Sequence, residues 1–136
     1  MKKIKTQDLF ISCAAVADFR PTKISHNKIK KNGNLAVIEL TKNKDILESV
    51  CKLKDKPICI GFAAESENFL VNAIAKLKNK KCDAIILNDI SSRDIGLNSD
   101  ENEVHFISQE KTEKIDRSSK QIIAEKIIKK VTKYFF

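Results

Sequence analysis

Residues 56–91 constrain the fold more than any other part of the chain. They read KPICIGFAAES, then ENFLVNAIAKLKNKK, then, after Cys82, DAIILNDIS. The two outer runs are apolar at consecutive positions, so a strand made from either has no face to give to water. Such strands belong in a parallel sheet covered on both sides. The middle run places Phe69, Leu70, Ala73, Ile74 and Leu77 on one stripe and lysines on the other, which is an amphipathic helix. Strand, helix and strand together make a crossover, right-handed by rule, that sets the carboxyl ends of both strands on one edge. Ligands of open α/β sheets bind along that edge.

The remaining segments extend this pattern. Strands are expected at Leu9–Ala15 and Leu35–Leu40, separated by the polar RPTKISHNKIKKNGN, which Pro21 and Gly33 punctuate as a loop. NKDILESVCKL offers Asn43 as N-cap of a helix with Ile46, Leu47, Val50 and Leu53 on one face. Two shorter strands at Glu103–Ser108 and Thr112–Ile115 are expected to pair, and a last helix to open at Ser118 or Ser119. The expectation is one α/β domain over residues 1–136, with a mainly parallel sheet, helices on both faces and a C-terminal antiparallel strand pair. A chain of 136 residues is long enough to bury a core.

Composition narrows the function classes. No apolar run approaches the roughly 20 residues of a membrane span, and MKKIKTQDLF lacks the apolar stretch and cleavage site of a signal peptide. A cytoplasmic protein without a membrane partner is expected. Cys13, Cys51, Cys59 and Cys82 sit in or beside apolar runs with no C-x-x-C pair, and neither His26 nor His105 has metal-ligand spacing to them. They read as small buried hydrophobes in a reducing compartment. The formal charge of +8 suits nucleic acid, nucleotides and phosphorylated metabolites alike. One Tyr and no Trp give no interleaved aromatic platform for single strands, so a nucleic-acid partner is not expected.

Three strand endings are chemically odd: Ala14–Asp18, Phe62–Glu65 and Asn88–Ser91. Right-handed crossovers would bring all three to one crevice. Ala14, Ala15 and Ala17 either let backbone amides approach a ligand or pack tightly beneath a helix. Asp18 is either a hydroxyl- or cation-binding acid or a turn former. Phe62 is either core or a surface on which a base stacks. Glu65 and Asp89 either bind an amine or cap a nearby helix. Lys76 and Lys80, one turn apart, are either solvated or grip a base edge or phosphates. Lys30 and Lys31 read equally as solvated. Lys28, in a loop that Gly33 could hinge, would neutralise phosphate charge as a bond breaks if that loop folds over the crevice.

In this order, AAVADFRP, KIKK, NKDIL, GFAAES, KLKNKKCDAIILNDIS and GLNSDENEV resemble the bacterial phosphopantothenate–cysteine ligases, the synthetase half of a bifunctional coenzyme A biosynthesis protein. The resemblance runs from about Asp8 to the final helix. It implies a three-layer α/β/α Rossmann-like fold and a ligase that uses CTP and Mg2+. Such an enzyme activates 4'-phosphopantothenate as an acyl-cytidylate, and cysteine then displaces CMP. On the family pattern Ser12, Cys13 and Ala14 line the CTP site by backbone, Asp18 contacts the nucleotide, and Lys28 is the catalytic lysine of a mobile flap at about residues 20–34. Lys44, Asp45, Ile46 and Leu47, with Phe62, Lys76 and Lys80, complete the nucleotide pocket. Ala15, Asn88 and Asp89 are candidate substrate contacts.

Two departures qualify what the resemblance implies. Lys44 stands where the family usually has proline. The glycine-rich strand–helix segment and the asparagine that precede AAVAD in the family are absent, so the sheet is expected to be truncated on its N-terminal side. The flavin-dependent decarboxylase half is absent too, and no flavin is expected. The partners implied are CTP, 4'-phosphopantothenate, cysteine and a second copy in a homodimer. An incomplete fragment needing a separate N-terminal chain is the alternative, and a basic nucleic-acid-binding module a more distant one.

Overall fold

The computed structural model of the chain describes residues 4–29, 37–65, 67–89 and 99–136. They divide into two compact units, Met1–Cys13 with Leu47–Phe136, and Ala14–Ile46.

The larger unit is built on a five-stranded sheet. Its strands are β1 (Leu9–Ser12), β4 (Ile58–Glu65), β5 (Ala84–Asp89), β6 (Glu101–Ser108) and β7 (Thr112–Ser119), in that spatial order. β1, β4 and β5 are parallel, and β6 and β7 continue the sheet antiparallel. Helices α1 (Ile46–Cys51) and α2 (Phe69–Lys80) pack on one face, through Leu47, Val50, Ala73 and Leu77 against Cys59, Ala63, Ile85 and Leu87. Helix α3 (Lys120–Phe135) covers the other face, with Ile123, Ile127 and Val131 on Ile60, Ile86, Val104 and Phe106. This is the three-layer arrangement expected.

The physical reason for the unalternating strands is now visible. Ile85, Ile86 and Leu87 are all fully buried, yet successive side chains point to opposite faces, so each helical layer takes its share. Burial of each such side chain stabilises the fold by roughly 1.5–3 kcal/mol. Gly61 in β4 also has a packing role. A Cβ there would lie 2.6 Å from Leu47 Cδ2 and 2.8 Å from Ile85 Cδ1, so its bare backbone is what lets α1 sit down on the sheet.

Several expected boundaries shift. The first strand ends at Ser12 instead of Ala15, at the residue where its pairing with β4 stops. β6 and β7 both run eight residues, longer than expected, because they pair along nearly their whole length. Helix α3 opens at Lys120, with Ser119 as N-cap accepting from the Ile122 amide at 3.3 Å. The three buried cysteines, Cys51, Cys59 and Cys82, behave as small hydrophobes, and the Sγ atoms of Cys51 and Cys82 lie 3.7 Å apart. Cys13 departs from that expectation, being exposed just beyond β1.

The smaller unit contains β2 (Phe19–Pro21) paired antiparallel with β3 (Leu40–Lys42). The strand expected at Leu35–Leu40 is therefore displaced. Residues 35–36 lie outside the described residues, Val37–Glu39 are not strand, and pairing begins at Leu40. Its partner is the start of the segment expected to be all loop, not the central sheet. Asn43 does not cap α1. Its Nδ2 donates to the Ala17 carbonyl at 2.7 Å, its Oδ1 accepts from Arg20 Nη1 at 2.7 Å, and its amide donates to the Asp18 carbonyl at 2.7 Å. A side chain spent on closing this ladder has none left for the helix.

Candidate functional site

The carboxyl ends of β1, β4 and β5 lie side by side on one edge of the larger unit, because all three strands run parallel. β1 stops where Ser12 pairs with Gly61, and β4 runs on four residues further, carrying Phe62–Glu65 past it. β5 keeps pace with that overhang, with Ala64 paired to Asn88 and Glu65 to Asp89. Two of the three strand endings singled out in the sequence, Phe62–Glu65 and Asn88–Asp89, are thus adjacent. Ile90 and Ser91 lie outside the described residues.

The pleat divides this edge into two faces. Ile60 belongs to the α3-side core, so Phe62 and Ala64 follow it onto that face, and Asn88, paired with Ala64, joins them. Phe62, the fifth residue of β4, is 37 % exposed where the buried run Cys59–Gly61 ends, which leaves ring surface free for stacking. Asn88 Oδ1 is buried and has no hydrogen-bond donor among the described residues. An amide oxygen left so costs stability, roughly 1–3 kcal/mol by the usual measure of a buried unsatisfied group. A ligand amino or amide group at this point would remove that cost.

Glu65, Ser12 and Lys76 occupy the opposite face. Ser12, two residues after Phe10, turns with it toward α1 and α2. Lys76 reaches back along α2 to place Nζ 3.5 Å from Glu65 Oε1. Glu65 is therefore an ion-pair partner and not a helix cap; Asn68 takes the cap position of α2, in a left-handed conformation with no side-chain cap bond. Lys80 lies in the last turn of α2. Leu47 is 6 % exposed and its side chain is committed to the core, so it has only backbone to offer a nucleotide.

The rest of the expected nucleotide-binding residues belong to the smaller unit. Ala14, Ala15 and Ala17 are exposed, which removes the reading that they pack tightly under a helix. Asp18 and Lys28 are exposed as well, as is Lys44. Lys30, Lys31 and Gly33 lie outside the described residues, as does the second half of the expected flap, 30–34.

Two features of the edge carry no mark in the sequence. One is the Glu65–Lys76 pair, whose members read as separate candidates although eleven residues of strand and helix bring them together. The other is His105, opposite Leu87 on β6, with a buried Nδ1 that has no hydrogen-bond partner among the described residues and its ring 6.0 Å from that of Phe69. Its position follows from the register of β6 alone.

Comparison with known proteins fits this architecture. The family described as DNA/pantothenate metabolism flavoprotein C-terminal domain matches residues 1–135. The coenzyme A biosynthesis bifunctional protein CoaBC of Vibrio vulnificus is 36 % identical over 134 residues, which is 96 % of this chain and 33 % of that protein. The solved C-terminal domain of a coenzyme A biosynthesis bifunctional protein CoaBC is 30 % identical with a TM-score of 0.74, covering 96 % of this chain and 56 % of that one. The DNA/pantothenate metabolism flavoprotein from Streptococcus pneumoniae shares the fold, with a TM-score of 0.77 at 20 % identity, over 98 % of this chain and 66 % of that one. The chain thus spans about a third of the length of the curated relatives it matches.

Proposed function

This chain belongs to the family of DNA/pantothenate metabolism flavoprotein C-terminal domains, and on that premise we propose that it carries phosphopantothenate–cysteine ligase chemistry. The reaction joins 4'-phosphopantothenate to cysteine at the expense of CTP, in coenzyme A biosynthesis. The observation that carries the reading is the strand edge itself. An exposed aromatic ring, Phe62, and an amide oxygen without a donor among the described residues, Asn88 Oδ1, stand on adjacent strands at the carboxyl edge of a parallel sheet. A base stacking on Phe62 would use the ring, and an amide or amine group of the acyl or amino-acid substrate beside it would donate to Asn88 Oδ1.

In this reading the 4'-phosphopantothenate carboxylate attacks the α-phosphate of CTP and pyrophosphate leaves. The cysteine amine then attacks the acyl carbon, CMP departs and the amine releases a proton. The first step brings an anion to an anion, so cationic side chains must suppress the repulsion. Lys28 supplies that charge. Lys76 and Lys80 hold the nucleotide, with the backbone of Ser12, Cys13 and Ala14, the segment Lys44–Leu47 and the Asp18 carboxylate. Ala15, Asn88 and Asp89 serve the acyl substrate and the amine. Holding both reactants in line supplies much of the rest, up to about 7–11 kcal/mol of barrier.

The described residues form no cluster of three His, Cys, Asp or Glu that would cage a metal. Mg2+ needs none, since it keeps its waters and takes phosphate oxygens with one or two carboxylates. Asp18, whose carboxylate is exposed, would hold a cation carried in on the triphosphate, and that cation would supply neutralisation of phosphate charge.

A second reading has one observation in its favour. Among the described residues β1 has β4 as its only neighbour in the sheet, which leaves a strand edge where a separate polypeptide could complete the crevice. One assay separates the two. The chain is incubated with CTP, 4'-phosphopantothenate and Mg2+, and pyrophosphate is followed before and after cysteine is added. Release that requires 4'-phosphopantothenate, and that falls about 100-fold in Lys28→Ala, supports the ligase. CTP binding without release supports the incomplete fragment. Oligonucleotide binding tighter than CTP binding and steeply weakened by salt would remove both readings.

A further inference from the structure

We propose that the larger unit holds a second ligand site, for a small phosphorylated molecule, at the edge of the sheet opposite the carboxyl ends of β1, β4 and β5. A cleft of about 730 Å³ opens there between the C-terminal half of α2 and the turn joining β6 to β7. That volume lies within the ordinary range for small-molecule sites, roughly 300–1,000 Å³. Its apolar floor is Ile74, 37 % exposed, with Leu77 buried beneath it.

Four lysines are among the residues lining the cleft, Lys56, Lys78, Lys81 and Lys111, against two acidic residues, Asp83 and Glu110. Asp83 is already engaged: it pairs with Lys56 and accepts from the Cys59 amide at 2.7 Å. Three cations against one carboxylate remain. Helix ends attract lysines, and Lys78 near the end of α2 needs no other explanation. Lys111 comes instead from the β6–β7 turn, so the lysines reach the cleft from separate elements of the fold. The last carbonyls of α2 are moreover capped already, those of Leu77 and Lys78 by the Lys81 amide.

The Lys111 ammonium stands 4.9 Å over the Tyr134 ring, at an adjoining hollow of about 290 Å³ that shares the β6–β7 turn. That ring also carries Lys133, so it is not a free platform for a base. A compact cleft with convergent lysines and a small apolar floor suits a phosphate group on a short organic tail, not a nucleic-acid strand. None of the lysines involved belongs to the site at the other edge.

Inorganic pyrophosphate is the probe. The full chain, labelled with 15N, is titrated in 100 mM NaCl, where unspecific surface attraction is largely screened. Saturable shifts are expected at the amides of Lys78, Lys81 and Ser108–Thr112. The exposed-site variant Lys78→Glu/Lys81→Glu should weaken that binding at least about tenfold, a loss of about 1.4 kcal/mol, while leaving shifts near Ser12 and Phe62 as in the wild type. Lys111→Ala, away from α2, should weaken it too. The proposal fails if the saturable shifts are confined to the carboxyl edge, an outcome that would leave the ligase reading standing. It also fails if both variants titrate like the wild type.

Discussion

Replacing Gly61 with alanine tests how α1 is seated on the sheet. The new Cβ would stand 2.6 Å from Leu47 Cδ2 and 2.8 Å from Ile85 Cδ1. Carbon atoms rest at about 3.5–4.0 Å, so both methyl groups must retreat by roughly 1 Å. Neither has open space to enter, since Leu47 is 6 % exposed and Ile85 fully buried. Driving each side chain off its rotamer costs about 0.5–1.5 kcal/mol, and the gain in strand stability on removing a glycine returns about 0.5–1 kcal/mol. The net cost is about 1–2 kcal/mol, within the range for overpacked cores. For a chain of this length that lowers the melting temperature by roughly 4–8 °C. Urea unfolding of four proteins reads it: wild type, Gly61→Ala, Leu47→Ala and the double variant. Leu47→Ala alone should cost about 2–5 kcal/mol, but part of that should vanish in the Gly61→Ala background, because one of the two clashes is gone. A Gly61→Ala midpoint at or above the wild type would refute the packing argument, as would strict additivity of the two substitutions.

The thiols give a second prediction. Burial, with the neighbouring Cys51 adding to it, pushes the Cys59 thiol up to about 12, and burial pushes Cys82 higher still. Partial burial raises the Cys13 thiol as well, but Cys13 alone is exposed, so at pH 8 a thiol reagent should titrate one group per folded chain, Cys13, and the other three only after unfolding; two or more groups reacting in the folded chain would contradict the core assignment. A third concerns Glu113, whose carboxyl is held below its ordinary value of 4.5 by hydrogen bonds from Lys130 and, at 2.6 Å, from Tyr134. A depressed carboxyl stabilises the fold above its unfolded pKa and loses that contribution as pH falls through the folded one. The stability gap between wild type and Glu113→Gln should therefore be open at pH 7 and close on acidification below 4.5; a gap constant down to pH 3 would sink the assignment.

The order of layers is legible in the sequence because it follows from the local periodicity of the chain. A short apolar run such as AIIL reads as a strand buried on both faces, and the stripe through Ala73 and Leu77 reads as a helix lying on it. The crossover rule likewise puts Phe62–Glu65 and Asn88–Asp89 on one edge, which is where they are. The family resemblance rests on short motifs of the same segments, and the match over residues 1–135 agrees with it.

Tertiary structure decided the matters that depend on pairing across distance. β3 starts at Leu40 because its partner is Phe19–Pro21, a choice no local propensity reveals. Asn43 has the composition of a helix cap, yet three hydrogen bonds to Ala17, Asp18 and Arg20 claim it. The sorting of the site residues onto two faces, Phe62 and Asn88 on one and Ser12 with the Glu65–Lys76 pair on the other, follows from strand register, where a slip of one residue reverses every side chain. The lysine-lined cleft has the same origin: Lys56, Lys78 and Lys111 are far apart in the chain, and only the closing of the sheet edge brings their charges to one place.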